Sequence, residues 1–177
     1  MKFILYLFIP IICFLLPREA NAQNLYTAQQ SLIGTKIDSL PSMEYHLNEP
    51  SDKNFNTKFK VLEFWATWCR PCLKAVPHLN RLQEKFRDSN IVFLSVTYEE
   101  KFKTGQIFRK VDFQTIVTSD STRKIHQLLR IQYNGTMAIP RTVLIDDENR
   151  IVWYGYPTEL NEKLLKDFME RKNLRGR

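Results

Sequence analysis

The chain has 177 residues, which suits one ordinary domain with a single hydrophobic core. Hydrophobic residues make up 44% and charged residues 25% of the sequence, a balance that excludes a disordered chain, a collagen-like chain and a membrane bundle. The net charge of +7 is spread along the chain without a long basic run, and no recognised nucleic-acid motif is present, so no nucleic-acid partner is expected.

The first 22 residues have the pattern of a signal peptide. Lys2 supplies a positive start, residues 3–16 are apolar, and positions 20–22 read Ala-Asn-Ala, the small-x-small pattern of a signal peptidase site. At about 1.5 Å per residue the apolar run reaches roughly 21 Å, short of the ~30 Å membrane core. We therefore predict cleavage after Ala22 and an exported, periplasmic or cell-envelope protein. An uncleaved leader that anchors the chain in the membrane is the alternative.

Removal of this leader changes the cysteine count. Cys13 would leave with it, and the mature chain, residues 23–177, would carry only Cys69 and Cys72. A disulfide that closes so short a loop removes little chain entropy, so it would contribute little stability. The pair is therefore better explained by chemistry than by stabilisation.

Residues 23–58 are polar and irregular, which predicts an N-terminal extension in which a hairpin could form. The apolar run at 61–66 predicts a buried central strand. Apolar residues at spacings of three and four then predict a helix over 70–86, with Pro77 inside it.

The rest of the chain continues the alternation of strands and helices. The elements predicted are a strand at 91–96, a short helix within 99–112, a strand at 115–118, a helix capped by Asp120, antiparallel strands at 141–145 and 150–154, and a C-terminal helix capped by Thr158. This order predicts an α/β fold with a mixed central sheet flanked by helices.

The cysteine pair lies where a strand gives way to a helix. The unpaired amides and the positive dipole end of that helix favour a thiolate at Cys69, and Arg70 adds positive charge beside it. Pro71 suits the first helical turn, where its missing N–H costs no hydrogen bond. This position predicts an exposed, redox-active pair.

Other roles for the pair fit the residues less well. A metal site needs about four ligands, and no second cysteine pair or suitably spaced histidine is present. Haem attachment needs a histidine directly after the second cysteine, where Leu73 stands. An inert structural disulfide stays open as an alternative.

The segment from Phe64 to Cys72, which reads FWATWCRPC, together with Pro77, closely resembles the active-site segment of the thioredoxin superfamily. The leader, the extension, the WATW sequence and the later segment 138–146, AIPRTVLID, resemble the TlpA/ResA-like branch. The likeness runs from about Gly34 to the C-terminal helix.

This resemblance implies a thioredoxin-like fold over residues 59–177, with 23–58 as an extension and 99–110 as a central insertion. It also implies that Ile139-Pro140 is a cis peptide that faces the cysteines and that Ile139 offers backbone hydrogen bonds to an extended substrate. Trp68 is a further candidate for substrate contact.

Glu63 stands six residues before Cys69, where thioredoxin carries an aspartate. Beneath the disulfide, desolvation would raise the pKa of this carboxyl and suit it to proton transfer with Cys72. In the alternative, the longer glutamate side chain reaches solvent at the strand end.

The resemblance implies a thiol-disulfide oxidoreductase that acts on partner proteins with cysteine pairs, needs no cofactor or metal, and serves as a reductant, for example in cytochrome maturation. A membrane electron donor would recycle it. The rival is a non-catalytic metal or cofactor assembly module on the same scaffold. A thiol peroxidase is disfavoured because residues 64–69 do not match its Pro-x-x-x-Thr-x-x-Cys pattern.

Overall fold

The computed structural model describes residues 16–174, with side chains from Gln23 onward. The predicted signal peptide therefore lies mostly outside the described residues, and only its end from Leu16 is seen, as part of a helix. Within residues 16–174, none of the helices combines the length and the apolar character needed to cross a membrane.

The described elements alternate between strands and helices, as predicted. In chain order they are α1 (Leu16–Gln30), β1 (Glu44–Leu47), β2 (Phe59–Phe64), α2 (Arg70–Lys85), β3 (Ile91–Thr97), α3 (Lys101–Phe108), β4 (Ile116–Ser119), α4 (Lys124–Leu128), β5 (Gln132–Tyr133), β6 (Thr136–Met137), β7 (Arg141–Ile145), β8 (Ile151–Gly155) and α5 (Glu162–Met169).

Six strands form one mixed sheet in the order β1-β4-β3-β2-β7-β8. Strands β2, β3 and β4 are parallel, whereas β1, β7 and β8 each run antiparallel to the neighbour they join. The carboxyl ends of β2, β3 and β4 therefore meet at one edge of the sheet, the edge where open α/β sheets build their sites. The predicted mixed sheet and thioredoxin-like fold are confirmed.

Strand β2 is buried on both faces, which explains its nearly continuous apolar sequence. Leu62 and Phe64 enter the core on one face, and Phe59 and Val61 enter the core on the other. Helix α2 covers the second face with Leu79 and its neighbours. Glu63 has the same parity as Phe59 and Val61, so it points toward the α2 side.

Residues 23–58 do not form the hairpin that the sequence allowed. The extension contains the end of α1 and a single strand, β1, which pairs antiparallel with β4 and places Tyr45 opposite Thr118. Without β1, the backbone groups of β4 would form an open sheet edge, so the extension covers it.

One local prediction also changes, and one small hairpin was not predicted. Asn161, and not Thr158, caps α5, and its Oδ1 accepts a hydrogen bond from the Leu164 amide at 2.9 Å, because residues 157–159 form a 3-10 turn before the helix. The loop that contains Asn134 and Gly135 is a small hairpin of β5 and β6. Both residues adopt positive φ, 46° and 75°, which is the usual Asn-Gly hairpin signature.

Candidate active site

Cys69 and Cys72 are joined in a disulfide at the start of α2. Cys69 occupies the N-cap position, and its carbonyl accepts the first helical hydrogen bond, from Leu73 at 3.1 Å. Pro71 lies in the first turn, as predicted. The strand-to-helix junction thus brings both sulfurs to the amide-rich end of α2.

The disulfide is more shielded than the sequence indicated. Cys69 is 3% exposed and Cys72 is fully buried. Both pack in an apolar cluster with Trp65 and Phe113, against which the insertion residue Phe108 also packs. The prediction of an exposed pair is therefore wrong, because the insertion adds side chains to this cluster. Cys69 is the slightly more exposed residue of the two, and its role as the attacking thiol stays a prediction.

The loop before Cys69 is held by the two residues that follow β3. Glu99 accepts hydrogen bonds from the Thr67 amide at 2.5 Å and from the Thr67 hydroxyl at 3.0 Å. The indole N–H of Trp68 donates to the Tyr98 hydroxyl at 3.0 Å, while Trp68 stays 60% exposed. Our sequence reasoning missed Tyr98 and Glu99. Their place at the carboxyl end of β3, beside that of β2, was the available signal.

The Ile139-Pro140 peptide is cis, as the resemblance implied. Ile139 is half-buried and packs against the cluster that holds both cysteines. The loop before β7 therefore lies beside the disulfide. Substrate contacts by Ile139, Pro140 and Trp68 remain predictions.

Glu63 lies inside the sheet and does not reach solvent, being 2% exposed. Its neighbours in register are Ser95 on β3 and Thr142 on β7. Neither carboxylate oxygen of Glu63 has a hydrogen-bond partner among the described residues, and burial raises the pKa of this acid to about 8. The Cys72 sulfur lies 3.9 Å from the carbonyl oxygen of Phe64, the residue after Glu63.

Asp120 and His126 form a buried polar pair at the carboxyl ends of the parallel strands. Asp120, directly after β4, accepts hydrogen bonds from the Lys124 amide at 3.0 Å, the His126 amide at 3.0 Å and the His126 ring Nδ1 at 2.8 Å. Asp120 therefore caps the start of α4, as its position predicts. Across residues 16–174, no group of three or more histidine, cysteine or acidic side chains is arranged to hold a metal ion.

The sequence model of the Redoxin family matches residues 33–169, a range that includes Glu63, both cysteines and the cis proline. The chain belongs to the Redoxin family. This match covers α2, α3 and every strand of the sheet.

Characterised relatives place this redoxin near the ResA proteins. Thiol-disulfide oxidoreductase ResA of Bacillus thuringiensis is 27% identical over 101 residues, which cover 56% of this chain and 56% of that relative. ResA of Halalkalibacterium halodurans is 23% identical over 149 residues, which cover 84% of this chain and 78% of the relative. The resemblance to the TlpA/ResA-like branch is confirmed, although the first match spans little more than half of the relative's length.

Solved structures with little sequence identity share the fold. The thioredoxin domain of a thiol-disulfide oxidoreductase from Bacteroides vulgatus superposes with a TM-score of 0.57 at 18% identity, covering 78% of this redoxin and 96% of that chain. A mitochondrial 2-Cys peroxiredoxin from Plasmodium falciparum gives 0.60 at 15% identity, covering 79% and 94%. At these identities the likeness concerns the fold alone, because one fold hosts several chemistries.

Proposed function

We propose that this redoxin is a thiol-disulfide oxidoreductase that reduces disulfides in partner proteins through Cys69 and Cys72. One observation carries the proposal. The disulfide begins a helix at the sheet edge, and a buried carboxylate, Glu63, which has no hydrogen-bond partner within residues 23–174, directly precedes in sequence the residue whose carbonyl Cys72 approaches.

In the first step the Cys69 thiolate attacks one sulfur of the partner disulfide. A mixed disulfide forms between Cys69 and that sulfur, the partner's own S–S bond breaks, and the second partner sulfur leaves as a thiolate that takes a proton from solvent. The amide-rich start of α2 stabilises negative charge at Cys69 before the attack.

In the second step Cys72 becomes the nucleophile. Its thiol gives its proton to the Glu63 carboxylate and attacks the Cys69 sulfur, so that the Cys69–Cys72 disulfide forms and the partner leaves as a thiolate. The partner is thereby reduced by two electrons and the redoxin is oxidised. Glu63 suits this role because its pKa of about 8 lies close to that of a free thiol.

The setting we propose is the cell envelope, with the leader 1–22 removed and residues 59–177 as the catalytic domain. Reduction of the resulting disulfide then requires a dithiol donor in the membrane, since an exported protein is separated from the cytosolic reducing pool. Cytochrome maturation, with an apoprotein cysteine pair as substrate, is the use we propose for the reduced form.

Trapping tests the assignment of the two sulfurs. A Cys72→Ser variant cannot resolve the mixed disulfide, so we expect it to accumulate covalent adducts with a disulfide-bonded test protein on non-reducing gels. The matched Cys69→Ser variant should form none. Equal adduct formation by both variants would contradict the assignment, and the absence of disulfide reduction by the wild type would contradict the function.

A redox titration tests the direction. Equilibration of the wild type with a dithiothreitol or glutathione buffer, read by thiol alkylation, should give a reducing potential. A potential like that of strong oxidants, about −120 mV for DsbA, would instead assign the protein as an oxidant.

A further inference from the structure

Two arginines are connected to the segment that carries Cys69. Arg70 directly follows Cys69 and is exposed. Trp68, which directly precedes Cys69, donates its hydrogen bond to Tyr98, and the guanidinium carbon of Arg123 lies 4.5 Å from the centroid of the Tyr98 ring. Contacts thus run from Trp68 through Tyr98 to Arg123. We call Arg70 and Arg123 the cationic rim of the site.

The buried acids at this edge are turned inward. Glu99 uses both oxygens on Thr67, and Asp120 uses its oxygens on the backbone of Lys124 and on the backbone and ring of His126. Neither acid forms an ion pair with a rim arginine. Glu100, the residue after Glu99, is exposed. It is followed by two exposed lysines, Lys101 and Lys103.

The rim arginines lack acidic partners of their own. Within residues 23–174, neither Arg70 nor Arg123 forms an ion pair with a carboxylate. The guanidinium of Arg123 contacts two neutral groups, the Tyr98 ring and the Gln132 side-chain oxygen at 3.4 Å. A guanidinium stacked on an aromatic ring keeps N–H groups at its edge that can pair with a carboxylate.

The backbone at Arg123 is also unusual. Its φ is 59°, in the left-handed region, and its amide donates to the Asp120 carbonyl at 2.8 Å. Residues with a Cβ adopt this conformation at an energetic cost, and glycine would fit it better. Arg130 and Arg171 also have positive φ, 52° and 55°, so the contacts of the Arg123 side chain, and not its backbone, distinguish this residue.

We infer that the cationic rim selects partner polypeptides that carry a carboxylate side chain next to the disulfide to be reduced. The inference rests on the proposed function, because it names the substrates that the same site prefers. Trp68 and Arg70 are the exposed residues on either side of Cys69 in the chain, so a partner segment that brings its sulfur to Cys69 can contact both, and Arg123 extends the positive charge through its contact with Tyr98. The net charge of +7 would further favour encounter with acidic partners.

Three disulfide-bonded peptides that differ only in the residue beside one cysteine, Asp, Ser or Lys, provide the test. The measured quantity is the ratio of kcat/KM for the Asp peptide to that for the Lys peptide at low ionic strength. For the wild type we expect the Asp peptide to be favoured by about threefold to fivefold per rim arginine, the upper part of the range of an exposed ion pair. The ratio should approach one at about 0.5 M salt, because exposed charges are then screened.

Variants at Arg123 locate the effect. Arg123→Gly removes the cation and suits the left-handed backbone, so a folding defect is avoided, and it should lower the ratio about threefold to fivefold. Arg123→Lys keeps the charge and should retain part of the preference. Arg81→Ala removes an exposed arginine on α2, away from the disulfide, and should leave the ratio unchanged.

The outcomes separate this inference from the proposed function. Equal reduction of all three peptides by the wild type, or a ratio that Arg123→Gly does not change, would overturn the inference and leave the oxidoreductase proposal intact. Reduction of none of them, together with no reduction of a disulfide-bonded test protein, would overturn the proposed function itself.

Discussion

Glu63 and Asp120 are both buried carboxylates, with 2% and 1% of their surfaces exposed. Glu63 lies on β2 and Asp120 directly follows β4, two parallel strands of one sheet that are separated by β3. Asp120 accepts three hydrogen bonds from N–H groups, whereas neither oxygen of Glu63 has a partner among the described residues. Burial is thus nearly equal, and hydrogen bonding is what differs.

This difference in hydrogen bonding gives Asp120 and Glu63 opposite pKa shifts. Burial alone would raise the pKa of Asp120, but the hydrogen bonds from the ring and backbone of His126 outweigh it and hold that pKa below its usual range. Glu63 receives no such compensation, and burial raises its pKa to about 8. Asp120 is therefore held as an anion that organises α4, while Glu63 can gain or lose a proton near neutral pH.

The largest effect is expected when Asp120, the hydrogen-bonded acid, is replaced. Asp120→Ala leaves the His126 ring nitrogen and the Lys124 amide without their acceptor, so we expect the free energy of unfolding to fall by about 3–5 kcal/mol. Urea denaturation followed by circular dichroism measures this, with Asp88→Ala, at an exposed acid, as the control. A loss below about 1 kcal/mol would mean that Asp120 does not stabilise α4.

Removal of the Glu63 carboxyl should have the opposite effect on the free energy of unfolding. The folded-state pKa of Glu63, about 8, lies above the ordinary value of 4.5, so its stabilising contribution is complete below about pH 4.5 and is lost as pH rises through 8. At pH 7 this loss amounts to about 3 kcal/mol. The oxidised Glu63→Gln variant should therefore gain stability relative to the wild type between about pH 5 and pH 8. If the free energies of unfolding of the two proteins depended on pH in the same way, burial would not raise the pKa of the Glu63 carboxyl.

The smallest expected effect concerns the rate of the second exchange step. Without a carboxylate to accept the Cys72 proton, Glu63→Gln should resolve a preformed mixed disulfide about tenfold to hundredfold more slowly at neutral pH. Wild-type resolution should accelerate as pH rises toward 8, when Glu63 ionises. Rapid acid quench and mass spectrometry follow the adduct. Glu63→Asp, which keeps a carboxylate, should restore part of the rate, and an unchanged rate in Glu63→Gln would remove Glu63 from the mechanism.

Local patterns predicted much of this molecule. Three elements could be predicted because each depends on neighbours within a few residues. They are the apolar strand before the cysteines, the helix after them and the paired strands near the C-terminus. The redox pair and Glu63 could be named for the same reason, since Cys69, Cys72 and the acid lie on one short strand-to-helix segment. The small β5–β6 hairpin carried an equally local signal, Asn-Gly, which we did not use.

The sequence by itself therefore determined the order of elements and the chemistry of the cysteine segment. Only the tertiary structure decided that β1 covers β4, that Glu99 holds Thr67 and that Arg123 stacks on Tyr98. The physical reason is sequence distance. Glu99 and Thr67 are 32 residues apart and meet only because β2 and β3 pair in parallel. No local periodicity reports such a meeting, and burial of Glu63 without a partner follows from the same packing.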